Sequence, residues 1–342
     1  MLRPPRLRAG NTIMIVSPSA PLAGLLPDRL RRGRVMLHTM GFKTILGRYA
    51  LRVTDHTAGT PRQRAADIME GFRRKDVGGI ICAIGGDHAN QILPYLDFPF
   101  IRRHPKVFVG YSDATVLHFA FQMQARLVTF YGPSVMNQFA ENPVILPYTR
   151  KWFESSTMSA QPLGRVQPSP RWTDETLDWF VNADLKRPRK LRRNPGWRWL
   201  RSGRASGTLV GGCLASIMHL RGTKYWPKFL GNILVIETSE SEADFSKGVQ
   251  LSTIDSHLTD LQLSGVFDGI SGLIIGRPFS YSADQLKQFV HIIRERTKHY
   301  TFPVLYNVDF GHTDPMITIP LGVRGSLQSA TNLFSIDQSG VI

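Results

Sequence analysis

KVFVGYSDATVLHFAFQM, Lys106 to Met123, decides how the rest of the chain is read. Val107, Phe108 and Val109 form a short apolar run of the buried-strand kind, and Ala114 to Met123 has the apolar spacing of a buried helix. Gly110, Tyr111, Ser112 and Asp113 leave room between them only for a sharp turn. Gly110 and Ala114 stand two residues to either side of Ser112, so strand and helix can approach with no side chain between them. This is the layout of a nucleophile elbow, with alanine in place of the second glycine. It exposes the Ser112 hydroxyl and sets the Asp113 N–H at a helix N-terminus, where negative charge is favoured. The plainer reading of such a junction is an N-cap serine. Support from elsewhere in the chain decides between the two.

The chain has 342 residues, of which 42% are hydrophobic and 20% charged, an ordinary globular composition with room for two cores. Cys82 lies in a buried strand pattern and Cys213 in a Gly-rich turn, which implies neither a disulfide framework nor a metal cluster. The His, Cys and carboxylate spacings match no zinc site, so neither metal nor cofactor is expected. The basic opening MLRPPRLRAG is followed by NTIMIV, but Ser17 and Pro18 end that apolar run too early for a secretory signal. No run approaches membrane-spanning length, and a cytoplasmic protein with no membrane partner is the expectation. The formal charge is +16, and Lys186 to Arg204 alone carries nine Lys or Arg and no acid. Such a run points to an anionic partner or to a solvated linker.

Residues 12 to 120 alternate strand and helix patterns. Strands are read at Thr12–Ser17, Phe42–Leu46 and Gly79–Ile84, and helices at Asp28–Met40, Thr60–Phe72 and Ala89–Leu96. Arg62, Arg64 and Asp67 fall on the wet side of the second helix. Buried strands alternating with helices predict a doubly wound parallel sheet, with ligands at the carboxyl ends of the strands. GGDHAN and GYSDAT both fall at such ends. Gly85-Gly86 reads either as a turn needing positive φ or as a nest of N–H groups, half of an oxyanion hole completed by the Asp113 N–H. It is not a dinucleotide fingerprint.

From Asn142 the pattern loosens into a Trp- and Arg-rich connection. A second domain begins near Ser206 with a strand, a Gly-Gly turn and a helix in GTLVGGCLASIMHLRGT. NILVI (232–236) delivers Glu237 at its end. Phe245–Leu258 reads as a helix, Ser271–Ile275 as a strand and Ala283–Arg296 as an amphipathic helix. Val304–Val308 is a strand running into Asp309-Phe310-Gly311-His312, and short strands follow at Pro315–Leu321 and Thr331–Ile336. The division is therefore 1–141, 142–205 and 206–342.

Ser112, Glu237 and His312 share one feature, in that each follows an apolar strand, where a side chain can project into a cleft. A serine needs a base to act as a nucleophile, and the base needs a carboxylate to fix its tautomer. The order Ser…Glu…His is an allowed one. His88, His118, His219 and His257 compete for the role of base.

GGDHAN, GYSDATVLH, GTLVGGCL, GNILVIE and FGHTDPMITIPLG together resemble the serine peptidases of the LD-carboxypeptidase family, S66, over residues 9 to 336. The resemblance implies a Ser112–Glu237–His312 triad and an oxyanion hole from Gly85 or Gly86 and Asp113. It also implies a Rossmann-like first domain joined to a smaller β-rich α/β domain, the triad split between them, and a homodimer. Cys213 stands where the family commonly has Asn. The Trp-rich connection, NPGWRWL and FGHTDPM look more like the family's microcin C immunity branch. That branch cuts a carboxamide bond of a peptidyl- or aminoacyl-nucleotide; the alternative is release of D-alanine from a murein tetrapeptide. Trp197 and Trp199 could stack on a nucleobase or pack the connection onto the domains. A nucleic-acid-binding protein would account for the charge but not for three strand-end residues in triad order.

Overall fold

The computed structural model describes residues 1–241 and 244–342. Its first sheet has six strands, in the order Ile319–Leu321, Thr129–Tyr131, Val107–Gly110, Val77–Cys82, Thr12–Val16 and Lys43–Leu46. The last five run parallel, and the two central ones, Val107–Gly110 and Val77–Cys82, are apolar and, but for Gly78, buried, as strands covered on both faces must be. Ile319–Leu321 is the exception. It comes from the far end of the chain and lies antiparallel on Thr129–Tyr131, with Ile319 opposite Tyr131.

Helices Pro27–Thr39 and Pro61–Arg73 flank this sheet. The second begins with a capping box, Thr60 and Gln63 satisfying each other's main-chain N–H. Arg64 and Asp67, expected in solvent, are buried. The Arg64 guanidinium donates to the carbonyls of Gly59, Pro18 and His88, and Asp67 accepts from the Tyr49 N–H. A charged side chain can be buried when its hydrogen bonds are met, and these two tie the helix to the loops above the strand ends.

The second sheet has eight strands, in the order Gly164–Arg165, Leu333–Ile336, Arg324–Gln328, Arg204–Cys213, Ile233–Glu237, Gly272–Gly276, Val304–Val308 and Arg198–Arg201. Its middle four are parallel and its flanks antiparallel. The expected Gly-Gly turn is absent, because the strand runs straight through Gly211 and Gly212 to Cys213. A Cβ on Gly211 would lie 1.8 Å from the Val235 carbonyl, so the glycine serves strand contact and not chain reversal. The helix expected at Phe245–Leu258 is also corrected. Asp244–Gly248 is a strand paired with Glu240–Ser241, and the helix runs from Leu251 to Leu263. Its buried face, Ile254, Leu258 and Leu261, begins only after Gln250, while Phe245 is exposed.

Two apolar clusters each draw on both sheets. One joins Phe108 and Phe119 to Leu214 and Ile236, and the other joins Phe130 and Tyr131 to Leu209, Val235 and Phe334. The junction is thus continuous core. Among the described residues no helix is long and apolar enough to cross a membrane.

Candidate active site

Ser112 follows Val107–Gly110 after Tyr111 alone and has φ +60°, the left-handed region a non-glycine residue enters only at a cost. The chain then winds through a 3₁₀ turn at Ser112–Ala114, an α-helix at Thr115–Ala120 and a π-turn at Phe121–Ala125, in place of one regular helix. Gly110 explains the sharpness of the turn. A Cβ there would meet the Ala114 Cβ and the Cys82 Sγ, both at 2.8 Å. Gly85 lies against Ser112 itself, since a Cβ on it would stand 2.8 Å from Ser112 Cβ and 2.9 Å from Oγ. The Gly85 main chain, the Asp113 N–H and the Ser112 hydroxyl therefore face one small space. Gly86 has φ +135° and packs on Ser19. The Asp113 carboxylate is buried and accepts from the Ala89 N–H at 2.8 Å, which fixes the loop after the glycines to the elbow.

Glu237 ends Ile233–Glu237 and is fully buried. Its cradle is made of glycine: a Cβ on Gly276 would come within 2.8 Å of Glu237 Cβ, and one on Gly311 within 2.6 Å of Oε2. His312 Nδ1 donates to Glu237 Oε2 at 2.7 Å. Burial works against the imidazolium, but the nearby carboxylates of Glu237, Glu240 and Asp314 outweigh it and raise the His312 pKa to about 9. The structure therefore brings the Glu237 carboxylate and the His312 imidazole into direct contact. No hydrogen bond joins the Ser112 Oγ to His312 among the described residues. Nε2 instead lies 3.3 Å from Glu240 Oε2.

Two of the competing histidines, His118 and His88, are engaged elsewhere. His118 is buried behind the elbow with Nε2 on the Gly110 carbonyl at 2.9 Å, and burial lowers its pKa to about 4. The His88 ring lies tilted against that of His56, their centroids 4.5 Å apart.

Two residues of this centre gave no signal in the sequence. Tyr131 sits in the apolar triplet Thr129–Tyr131, yet its hydroxyl accepts the Ser112 N–H at 3.1 Å and donates to Glu237 Oε1. Glu240 lies in a polar run and carries no motif.

The connection holds the His312 loop from both sides. Asp309, fully buried, accepts from Arg277 Nη2 at 2.7 Å, Asn194 Nδ2 at 2.9 Å, the Trp197 indole N–H at 2.8 Å and the Ser169 N–H at 3.2 Å. Asp314 exchanges two main-chain hydrogen bonds with Thr173 and pairs with Arg189, which also pairs with Glu141. The Trp199 indole N–H donates to Asn332 Oδ1 at 2.9 Å. Part of the basic run is thus neutralised within the protein, Arg187 by Glu175 and Arg192 by Asp174 as well.

Comparison with known proteins identifies the family. Residues 13–132 match the LD-carboxypeptidase N-terminal domain and residues 206–327 the LD-carboxypeptidase C-terminal domain. The chain is 32% identical to the microcin C7 self-immunity protein MccF of Escherichia coli, over 97% of this chain and 94% of that protein. It is 27% identical to a probable murein peptide carboxypeptidase of Bacillus subtilis, over 96% of this chain and 92% of that protein. Its fold superposes on the structure of MccF in complex with aspartyl sulfamoyl adenosine with a TM-score of 0.91 at 30% identity, covering 100% of both chains. The protein belongs to the LD-carboxypeptidase family S66 and is a serine peptidase with the two-domain MccF fold.

Proposed function

We propose that the protein hydrolyses the carboxamide bond of an aminoacyl- or peptidyl-nucleotide, with Ser112, Glu237 and His312 as its triad. The observation that carries this reading is the 2.7 Å contact between His312 and Glu237, each at a strand end, beside a serine in a strained turn. Ser112 Oγ attacks the carbonyl as His312 Nε2 takes its proton. Glu237 holds Nδ1 protonated and stabilises the imidazolium. The Asp113 N–H and an N–H of Gly85 or Gly86 receive the oxyanion. His312 then protonates the leaving nitrogen, and water repeats the sequence on the acyl-enzyme. Similarity to MccF, solved with an aspartyl sulfamoyl nucleoside, favours the nucleotide substrate.

Trp197 and Trp199, offered by the sequence as nucleobase platforms or packing residues, fit the second role better. Their indole nitrogens are engaged by Asp309 and Asn332, and the rings pack with the second sheet's core, Trp197 near Phe334. The competing substrate is a murein tetrapeptide, favoured by similarity to the murein peptide carboxypeptidase. Purified protein is assayed on aspartyl-adenosine phosphoramidate and on murein tetrapeptide, with Ser112→Ala as control. Faster Ser112-dependent release of aspartate supports the proposal, and faster release of D-alanine overturns the choice of substrate.

A further inference from the structure

Glu240 stands three residues beyond Glu237, in the strand Glu240–Ser241, and its side chain is 32% exposed. It is not the carboxylate that orients the base. That place is filled by Glu237, whose two oxygens are occupied by the Tyr131 hydroxyl and His312 Nδ1. Glu240 lies on the opposite side of the imidazole, 3.3 Å from Nε2, the atom that must take the serine's proton. His312 is the one cationic side chain paired with it among the described residues. The other groups facing the ring are Asp314, held by Arg189, and Tyr111, whose ring centroid lies 5.0 Å away. A carboxylate there stabilises the protonated base, and a protonated base cannot accept from Ser112.

The contact has a use if a cation from the substrate replaces the imidazolium. When Ser112 attacks an aminoacyl carbonyl, the α-ammonium is attached to the carbon next to the reacting one. The base that serves Ser112 has Glu240 3.3 Å from its Nε2, so a cation one bond from the reacting carbon is within the range of that carboxylate's charge. Resting on the aminoacyl-nucleotide reading above, we propose that Glu240 is a specificity-determining carboxylate that binds the free α-ammonium of the acyl residue and thereby releases His312 Nε2 to Ser112. One positive charge replaces another at Glu240. The proton on Nε2 passes to water, the neutral imidazole turns to the serine, and the exchange is complete before the carbonyl is attacked. A substrate whose α-amine is already in a peptide bond brings no such charge. The site is therefore selective for aminoacyl- over peptidyl-nucleotides.

The test compares aspartyl-adenosine phosphoramidate with its N-acetyl derivative on the wild type, Glu240→Gln and Glu240→Asp. A charge-assisted hydrogen bond corresponds to about ten- to hundredfold in kcat/KM, which is the expected wild-type preference for the free amine. Glu240→Gln abolishes that preference from both directions, slowing the free amine and speeding the N-acetyl compound, and Glu240→Asp retains part of it. A gain on the N-acetyl compound cannot arise from damage to the fold. Equal turnover of the two compounds by the wild type, or an unchanged ratio in Glu240→Gln, overturns the inference and leaves the functional reading standing. Hydrolysis of neither compound overturns that reading, and the inference with it.

Discussion

The main-chain N–H of Ser112 donates to the Tyr131 hydroxyl at 3.1 Å, and the same hydroxyl donates to Glu237. One phenol thus holds the strained backbone of Ser112 and the carboxylate of Glu237. Tyr131→Phe leaves the ring's packing intact while removing both bonds. The bond to an ionised acceptor corresponds to about 1.5–3 kcal/mol, so kcat should fall roughly ten- to hundredfold with KM little changed. Steady-state kinetics check the split; a rise in KM alone would place Tyr131 in substrate binding.

Ser112 separates activity from stability. Its φ of +60° suits glycine better than serine. Ser112→Gly should raise stability by about 1 kcal/mol while reducing kcat by several orders of magnitude. Urea unfolding and a turnover assay on the same preparation measure both effects. A destabilised Ser112→Gly protein would mean that the turn is not strained.

Gly85 has no spare volume on the side of the nucleophile, because a Cβ would reach within 2.9 Å of Ser112 Oγ. Gly85→Ala should fold and lose about 10²- to 10³-fold in kcat, the scale of a displaced oxyanion donor. Gly164→Ala is the control: its Cβ would meet nothing within 4 Å, although its own φ is +67°. Similar activity in the two variants would remove Gly85 from the site.

His312 also links the site to pH. Its folded pKa, about 9, lies above the ordinary value of 6.5, so the folded protein holds this proton more tightly than the unfolded chain. The resulting stability is fully present below about pH 6.5 and is lost as pH rises through about 9. His312→Gln should flatten that part of the urea-midpoint profile. Turnover of the N-acetyl substrate, which brings no ammonium, should run the other way and increase toward about pH 9, as His312 loses its proton. A profile already level at neutral pH would show that the imidazole is unprotonated in the free enzyme.

Much of the candidate site was legible because its side chains sit at the ends of apolar strands or within four residues of them. Val107–Gly110, Ile233–Glu237 and Val304–Val308 announce Ser112, Glu237 and His312 in advance. Tyr131 was hidden by the same pattern, since its ring satisfies the strand's apolar period and only the hydroxyl does chemistry. Arg64 and Asp67 misled for the opposite reason. Their charge marked a wet face, while their partners were carbonyls and an N–H of distant loops that periodicity does not encode. The Asp244–Gly248 strand was missed because a two-stranded ribbon in a polar run needs no buried face.

Ile319–Leu321 pairs with the strand that bears Tyr131, although nearly 200 residues separate them in sequence. During synthesis that edge of the first sheet stays open until the ribosome has passed residue 321. The nucleophile half therefore cannot mature as an independent unit while the rest is being made. A chain cut short before Ile319 leaves an unpaired strand edge beside the Tyr131 hydroxyl, and unpaired edges invite association with other chains. Nascent or truncated copies would be prone to aggregation before they were competent hydrolases, and activity would wait until Ile319–Leu321 had been made and paired.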